Sequence, residues 1–363
     1  MKIWYEAGIF SPIIEDLKFL YGDAAPIYEF NKELDEIEPE DFYLLSFINP
    51  IWINHSNGST HGHHIFTNEY VDILTKLQLR GVKLIVDYTM EGTVYCEGLV
   101  DYLNRISLGN KNVSQIILAT NNSKTRARGY EGMSVKMVYF PHFFISTLYE
   151  FKPYITNTEV NITHDFLCLN RRMRKGKYKL LLELEKRNLL DTTLWTWIGR
   201  TSHKNFPETL TLKRKELPND VEYTGLKFVD DTNTLYGLNT DWYKQVKVDI
   251  VNETYYHEKD ECHITEKVFK PMMMGKPFVV NSTKGYIEEL RKLGFKYPEV
   301  EYDLSNDSDR TEKVVDTAVE FINRDLTYYN EYNKKLFNNV EHKREIVDRL
   351  FFSKLNSNEH PLI

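Results

Sequence analysis

Short apolar runs alternate along most of this chain with stretches that carry leucine and isoleucine at helical spacing. Such alternation restricts the fold to an α/β class built on a parallel sheet, because parallel strands need a crossover, usually a helix, between them. In the first half the strand candidates are Ile3–Tyr5, Phe42–Ile48, Val82–Tyr88, Gln115–Ala119 and Val135–Phe140, with helices over Asn68–Leu79 and Val94–Ile106. That order predicts a doubly wound sheet.

A polar stretch, Tyr154–Thr163, reads as a linker, and the pattern restarts after it. Phe166–Leu169, Lys177–Asn188 and Leu194–Ile198 form a strand–helix–strand unit, whereas Arg200–Gln245 is less regular. Then Val246–Val251 reads as a strand, Thr265–Met274 as a helix, Phe278–Asn281 as a strand and Tyr286–Leu293 as a helix stopped by Gly294. Pro271 should shorten or kink its helix, because it lacks the N–H and clashes with the preceding turn. From Thr311 to about Lys354 the pattern is helical. The expectation is two Rossmann-like doubly wound domains, 1–155 and 156–335, with a helical tail over 336–363. A length of 363 residues suits two cores.

The apolar fraction of 42% and charged fraction of 27% fit a globular protein, and no apolar run approaches the roughly 18 residues of a membrane span. Met1–Glu6 reads as a strand, with no signal-peptide pattern, so a cytoplasmic location is expected. Cys96, Cys168 and Cys262 are too widely spaced for a metal knuckle and read as reduced thiols. A net charge of −7 disfavours nonspecific binding to a phosphate backbone. The abundance of Asn, Lys, Ile and Tyr is that of AT-rich coding, as in viral, phage or bacterial genomes.

The chemistry concentrates in the second half. Thr265-Glu266-Lys267 opens a short helix between two apolar strands. The free N–H groups and positive dipole end of a helix start favour an anion, Lys267 adds a mobile cation, and Glu266 offers an acceptor for hydroxyls. A nucleotide-diphosphate sugar presents both kinds of group. Both side chains are expected to be exposed. Asn252 and Glu253, at the end of the preceding strand, are candidates for orienting the donor sugar, since α/β sheets bind ligands beyond strand C-termini. Asn170, Arg171, Arg172 and Lys175 form a second basic loop after a buried strand.

These residues also carry a resemblance. Asp249–Phe295, with Thr265-Glu266-Lys267, Lys270-Pro271, Gly275-Lys276-Pro277 and Gly285-Tyr286, resembles the donor-binding domain of GT-B glycosyltransferases of the α1,3-fucosyltransferase and exostosin type. Phe166–Arg172, with Arg174 and Lys175, is similar to the first strand and phosphate-facing loop of that domain. The resemblance implies that Glu266 holds the ribose hydroxyls and Lys267 the diphosphate. It assigns Arg171 or Arg172 to the phosphates or to the charge on the leaving group. It implies a GT-B arrangement with sugar transfer to a hydroxyl in a cleft between two domains, and a nucleotide sugar as donor substrate with no metal or other cofactor required.

An inverting reaction needs a base. Glu91, just past the strand ending at Tyr88, is the first candidate and Asp87 the second. His55, His61, His63 and His64 cluster after Phe42–Ile48 and read better as a loop than as a metal site. Asp307-Ser308-Asp309 precedes a helix and reads as capping. The expected acceptor is a glycan or small molecule. Modified DNA bases are the alternative, for which Arg105, Lys111, Lys124, Arg126 and Arg128 form the only dense basic group of the first half. A non-catalytic sugar-nucleotide-binding module is a third reading, against which Glu266, Lys267 and Arg171 argue.

Overall fold

Ser11 and Pro12 set the first helix. The serine hydroxyl accepts from Ile14 N at the N-cap and proline occupies the first helical position, where its missing N–H costs nothing. The computed structural model describes residues 1–6, 11–30, 34–46, 68–89, 116–123, 135–152, 155, 160–170, 175–195, 240–253, 262–306 and 308–356. The elements of its first part are β1 (Ile3–Glu6), α1 (Pro12–Tyr21), β2 (Ile27–Phe30), β3 (Phe42–Ser46), α2 (Asn68–Leu79), β4 (Lys83–Tyr88), β5 (Ile116–Thr120), β6 (Val135–Tyr139) and α3 (His142–Phe151). After them come β7 (His164–Cys168), α4 (Lys175–Lys186), β8 (Thr193–Trp195), α5 (Thr240–Lys244), β9 (Val246–Asn252), α6 (Glu266–Met274), β10 (Phe278–Asn281) and α7 (Tyr286–Lys292). The chain continues through α8 (Arg310–Asn323), α9 (Thr327–Phe337), α10 (Val340–Val347), a π-helical turn over Asp348–Phe352 and α11 (Ser353–Asn356).

Two units result, one of Met1–His142 with Val340–Ile363, the other of Phe143–Asn339. Unit 1 holds a parallel sheet in the order β2-β1-β3-β4-β5-β6. Unit 2 holds a parallel sheet in the order β10-β9-β7-β8. Counted from the start of each unit, both sheets share the strand order 2-1-3-4. The order reverses between the first and third strands, and ligands of open α/β sheets bind outside the carboxyl ends of the strands at that point. The fold class is therefore the doubly wound α/β class that the alternation predicts.

The strands are legible because they are buried on both faces: every residue of β5 and β10 is buried. Three elements depart from the sequence reading, which anticipates neither α1, β2 nor α3. The boundaries also differ. Residue 155, the expected end of the first domain, lies within unit 2, and the tail from Val340 onward belongs to unit 1. There Tyr21 Oη donates to Asp348 Oδ1 at 2.8 Å, and Phe351 meets Phe140 edge-on at 5.0 Å. The helix around Pro271 continues past the proline to Met274 and ends at Gly275, whose left-handed φ of 67° favours a residue without Cβ. Among the described residues no helix is long and apolar enough to cross a membrane.

Candidate active site

β9 of unit 2 delivers Asn252 and Glu253 to the C-terminal edge of the sheet, next to the point where the strand order reverses between β7 and β9. The Glu253 side chain is fully buried. Its Oε1 accepts from Thr265 N at 3.2 Å and from Tyr286 Oη at 2.7 Å. Its Oε2 accepts from Thr265 Oγ1 at 2.8 Å and from Lys267 Nζ at 3.3 Å. A carboxylate has about four acceptor positions, so these donors occupy it. Glu253 thus fixes the start of α6 and the side chain of Tyr286.

Thr265 is the N-cap of α6, with φ −108° and ψ 176°, and its oxygen accepts from Lys267 N at 3.4 Å. Lys267 Nζ also donates to Thr265 Oγ1 at 2.8 Å and lies 3.7 Å from Glu266 Oε1. The Glu266 and Lys267 side chains are 13% and 27% exposed, which corrects the expectation of two open first-turn residues. The Lys267 ammonium lies back over the helix start, 3.3 Å from the buried Glu253 carboxyl group. Behind it, Phe269 stacks on Phe337 of α9 at 5.6 Å, and Phe144 and Phe295 close the same cluster, anchoring α6 from its apolar face.

The electrostatics beneath this helix start favour an ionised Glu266. Burial alone would push its carboxyl up, yet Lys267, Lys270, a backbone N–H and His263 together hold it below its ordinary value of 4.5. Burial pushes the Lys270 ammonium down, partly opposed by Glu266, Asp249 and Glu150, and it lies 4.8 Å from the Phe151 ring centroid. Burial raises the Asp249 carboxyl well above the usual range, against Lys270. A depressed folded pKa means that ionised Glu266 stabilises the fold above the ordinary carboxylate value, and that this contribution disappears as pH falls through the folded value. Melting temperatures of the wild type and Glu266→Gln are therefore expected to differ at neutral pH and to converge in acid, which differential scanning fluorimetry across a pH series can check.

Asn170 and Asn252, expected in the site from sequence, meet across the switch point: Asn252 Nδ2 donates to Asn170 Oδ1 at 2.9 Å. Asn281 Nδ2 then donates to Asn252 Oδ1 at 2.8 Å, so one amide chain joins β10, β9 and the residue beyond β7. Cys168 and Cys262 are buried thiols, and Cys96 lies outside the described residues. Burial pushes the Cys168 thiol up to about 12, against the Asn170 amide that pulls it down.

Unit 1 repeats the device of Glu253. Asp87, at 2% exposure, accepts from Ser11 Oγ at 2.5 Å, Ile13 N at 3.1 Å, Thr89 N at 3.1 Å and Thr89 Oγ1 at 2.7 Å. It fastens the start of α1 to the end of β4, which removes it as a free base. Asp309 stands at the N-cap of α8 without a side-chain capping bond, and Asp307 lies outside the described residues. Glu91, Arg171, Arg172, Arg174, the four loop histidines and the basic group from Arg105 to Arg128 also lie outside them, as does the side chain of Lys175. Among the described residues no cluster of metal ligands is present. Sequence reasoning counted Lys270 and Tyr286 among the motif residues but gave neither a role, and gave Asp249 none. Lys270 carried a signal, four residues after Glu266 on the same helix face.

No family model matches the chain, and no curated protein matches it. Among solved structures it is similar to a DNA-modifying beta-glucosyltransferase studied with and without uridine diphosphoglucose, at 11% identity and a TM-score of 0.47, covering 96% of this chain and 99% of that one. A point mutant of the T4 phage enzyme with UDP-glucose matches at 10% identity and 0.40, covering 97% and 100%. T4 phage BGT with its UDP-glucose substrate matches at 9% identity and 0.39, with the same coverage.

Proposed function

We propose that the chain is a glycosyltransferase that moves a sugar from a nucleotide-diphosphate sugar to a hydroxyl acceptor, without need of a metal. The observation that carries this reading is the start of α6: a half-buried ammonium, Lys267, held by Glu253 and Thr265 beside the switch point of a parallel sheet, with ionised Glu266 next to it. On donor binding, Lys267 turns from Thr265 to the diphosphate, while Glu253 keeps its bonds from Thr265 and Tyr286. Glu266 accepts the ribose hydroxyls. In the transfer step the acceptor oxygen attacks the anomeric carbon and the bond from that carbon to the diphosphate breaks. The acceptor proton passes to a base, for which Glu91 is proposed. The leaving charge is met by Lys267 and by Arg171 or Arg172, the donors on which metal-free diphosphate departure depends. The finer likeness, to the donor domain of fucosyltransferase and exostosin type, belongs to this proposal and rests on the motif residues named above.

Incubation with a panel of nucleotide sugars is expected to release free nucleotide, undiminished by a chelator. A panel that yields neither binding nor release removes the enzyme reading; release abolished by the chelator removes metal independence. Acceptors should include glycans, small alcohols and duplex DNA with hydroxylated bases, at two salt concentrations. A DNA acceptor would show a steep loss of rate with salt.

A further inference from the structure

The amide chain at the edge of the unit 2 sheet has a fixed polarity. At one end Asn170 Nδ2 donates to Cys168 O at 3.3 Å, and at the other Asn281 Nδ2 donates to Gly176 O, in the first turn of α4, at 3.4 Å. A backbone carbonyl can only accept, so both outer amides must present nitrogen to it. The two inner bonds then follow without choice, since turning one amide would set like atoms against each other. Asn281 Oδ1 is left as the terminal acceptor. It is enclosed and has no hydrogen-bond partner among the described residues. Two residues on, Thr283 Oγ1 is in the same condition, and Asn281 and Thr283 are 0% and 2% exposed.

An enclosed polar atom without a partner is costly, and here one ends β10 and the other lies two residues beyond it, at the sheet edge where folds of this class hold ligands. Each N–H that an amide donates also makes its own oxygen a better acceptor, so the chain strengthens Asn281 Oδ1. We infer that Asn281 Oδ1 and Thr283 Oγ1 form a subsite for sugar hydroxyls of the nucleotide-sugar donor. Asn281 Oδ1 accepts only, which excludes an unprotonated phosphate oxygen and selects a donor such as a hydroxyl. Thr283 can both give and accept, so a sugar hydroxyl can satisfy it as well. The inference rests on the nucleotide-sugar reading. Because the atoms are enclosed, binding requires local opening at this edge.

The test uses the full-length protein and the nearly isosteric Thr283→Val, with Thr283→Ser as the variant that restores the hydroxyl. Ligands are a nucleoside diphosphate, its 2′,3′-dideoxy analogue and the matching nucleotide sugar. Thr283→Val is expected to melt no lower than wild type, because it removes an unpartnered buried hydroxyl, and to bind the nucleotide sugar about tenfold more weakly. Thr283→Ser should recover the affinity. A loss confined to the nucleotide sugar assigns the subsite to the transferred sugar. A loss shared with the diphosphate but absent for the dideoxy analogue assigns it to the ribose. A lower melting temperature with unchanged affinities, or no change in either, overturns the subsite. If the wild type binds no nucleotide at all, the nucleotide-sugar reading itself falls, a different outcome.

Discussion

Glu253→Ala is expected to cost about 3–5 kcal/mol of stability, the scale for removing one partner from a buried charged network. Four donors lose their acceptor at once: Thr265 N, Thr265 Oγ1, Tyr286 Oη and Lys267 Nζ. The N-cap of α6 and the side chain of Tyr286 at the start of α7 are then released together. Thermal unfolding of this variant should fall by about 10 °C at a few degrees per kcal/mol, with loss of near-ultraviolet signal from the aromatic cluster around Phe269. Glu253→Gln should fall less far, since it keeps the volume but turns donors toward Lys267 and Thr265. A Glu253→Ala protein that melts like wild type while losing donor affinity would return Glu253 to the ligand and refute the positioning role.

Lys267→Ala should weaken nucleoside diphosphate binding by about 1.5–3 kcal/mol, the scale of a hydrogen bond to a charged group, while leaving the bare nucleoside nearly unaffected. Glu266→Ala should weaken both, because the ribose is common to both ligands. The geometry adds a second effect. Lys267 is one of the four donors to Glu253, so its loss should also lower the melting temperature, though less than Glu253→Ala. Titration calorimetry with nucleoside, monophosphate and diphosphate on the two variants separates the roles. The same dependence on phosphate number in both would show that diphosphate and ribose are not divided between these side chains.

The parts of the fold visible in the sequence are those that local rules determine. Parallel strands with both faces covered are near-continuous apolar runs, and β4, β5 and β10 stand out for that reason. β2, Ile-Tyr-Glu-Phe at a sheet edge with Tyr28 and Glu29 exposed, has no such run. α3, His-Phe-Phe-Ile-Ser-Thr-Leu-Tyr-Glu-Phe, is apolar around most of its circumference and so lacks the polar face that marks a helical period. α1 could have been read from Ser11-Pro12.

In the site, Thr265, Glu266 and Lys267 were legible because capping is local chemistry. The occupation of Glu253 was not. Its bond from Tyr286 spans 33 residues, and the amide link between Asn252 and Asn281 depends on strand register, which no single segment encodes. Asp249 reads from sequence as a polar interruption of an apolar strand. Its character comes from burial opposite Lys270, which only the packed structure supplies.

The return of the chain to unit 1 bears on the order in which the protein is made. A ribosome completes residues 143–339, an uninterrupted stretch, before it supplies the helices from Val340 onward. During that interval Tyr21 lacks Asp348 and Phe140 lacks Phe351, although all six strands of unit 1 have already been synthesised. The first unit to begin is thus the last to be finished. A nascent chain stalled before Val340 exposes the apolar surface that Phe351 later covers, which makes this interval the one in which a chaperone would matter most.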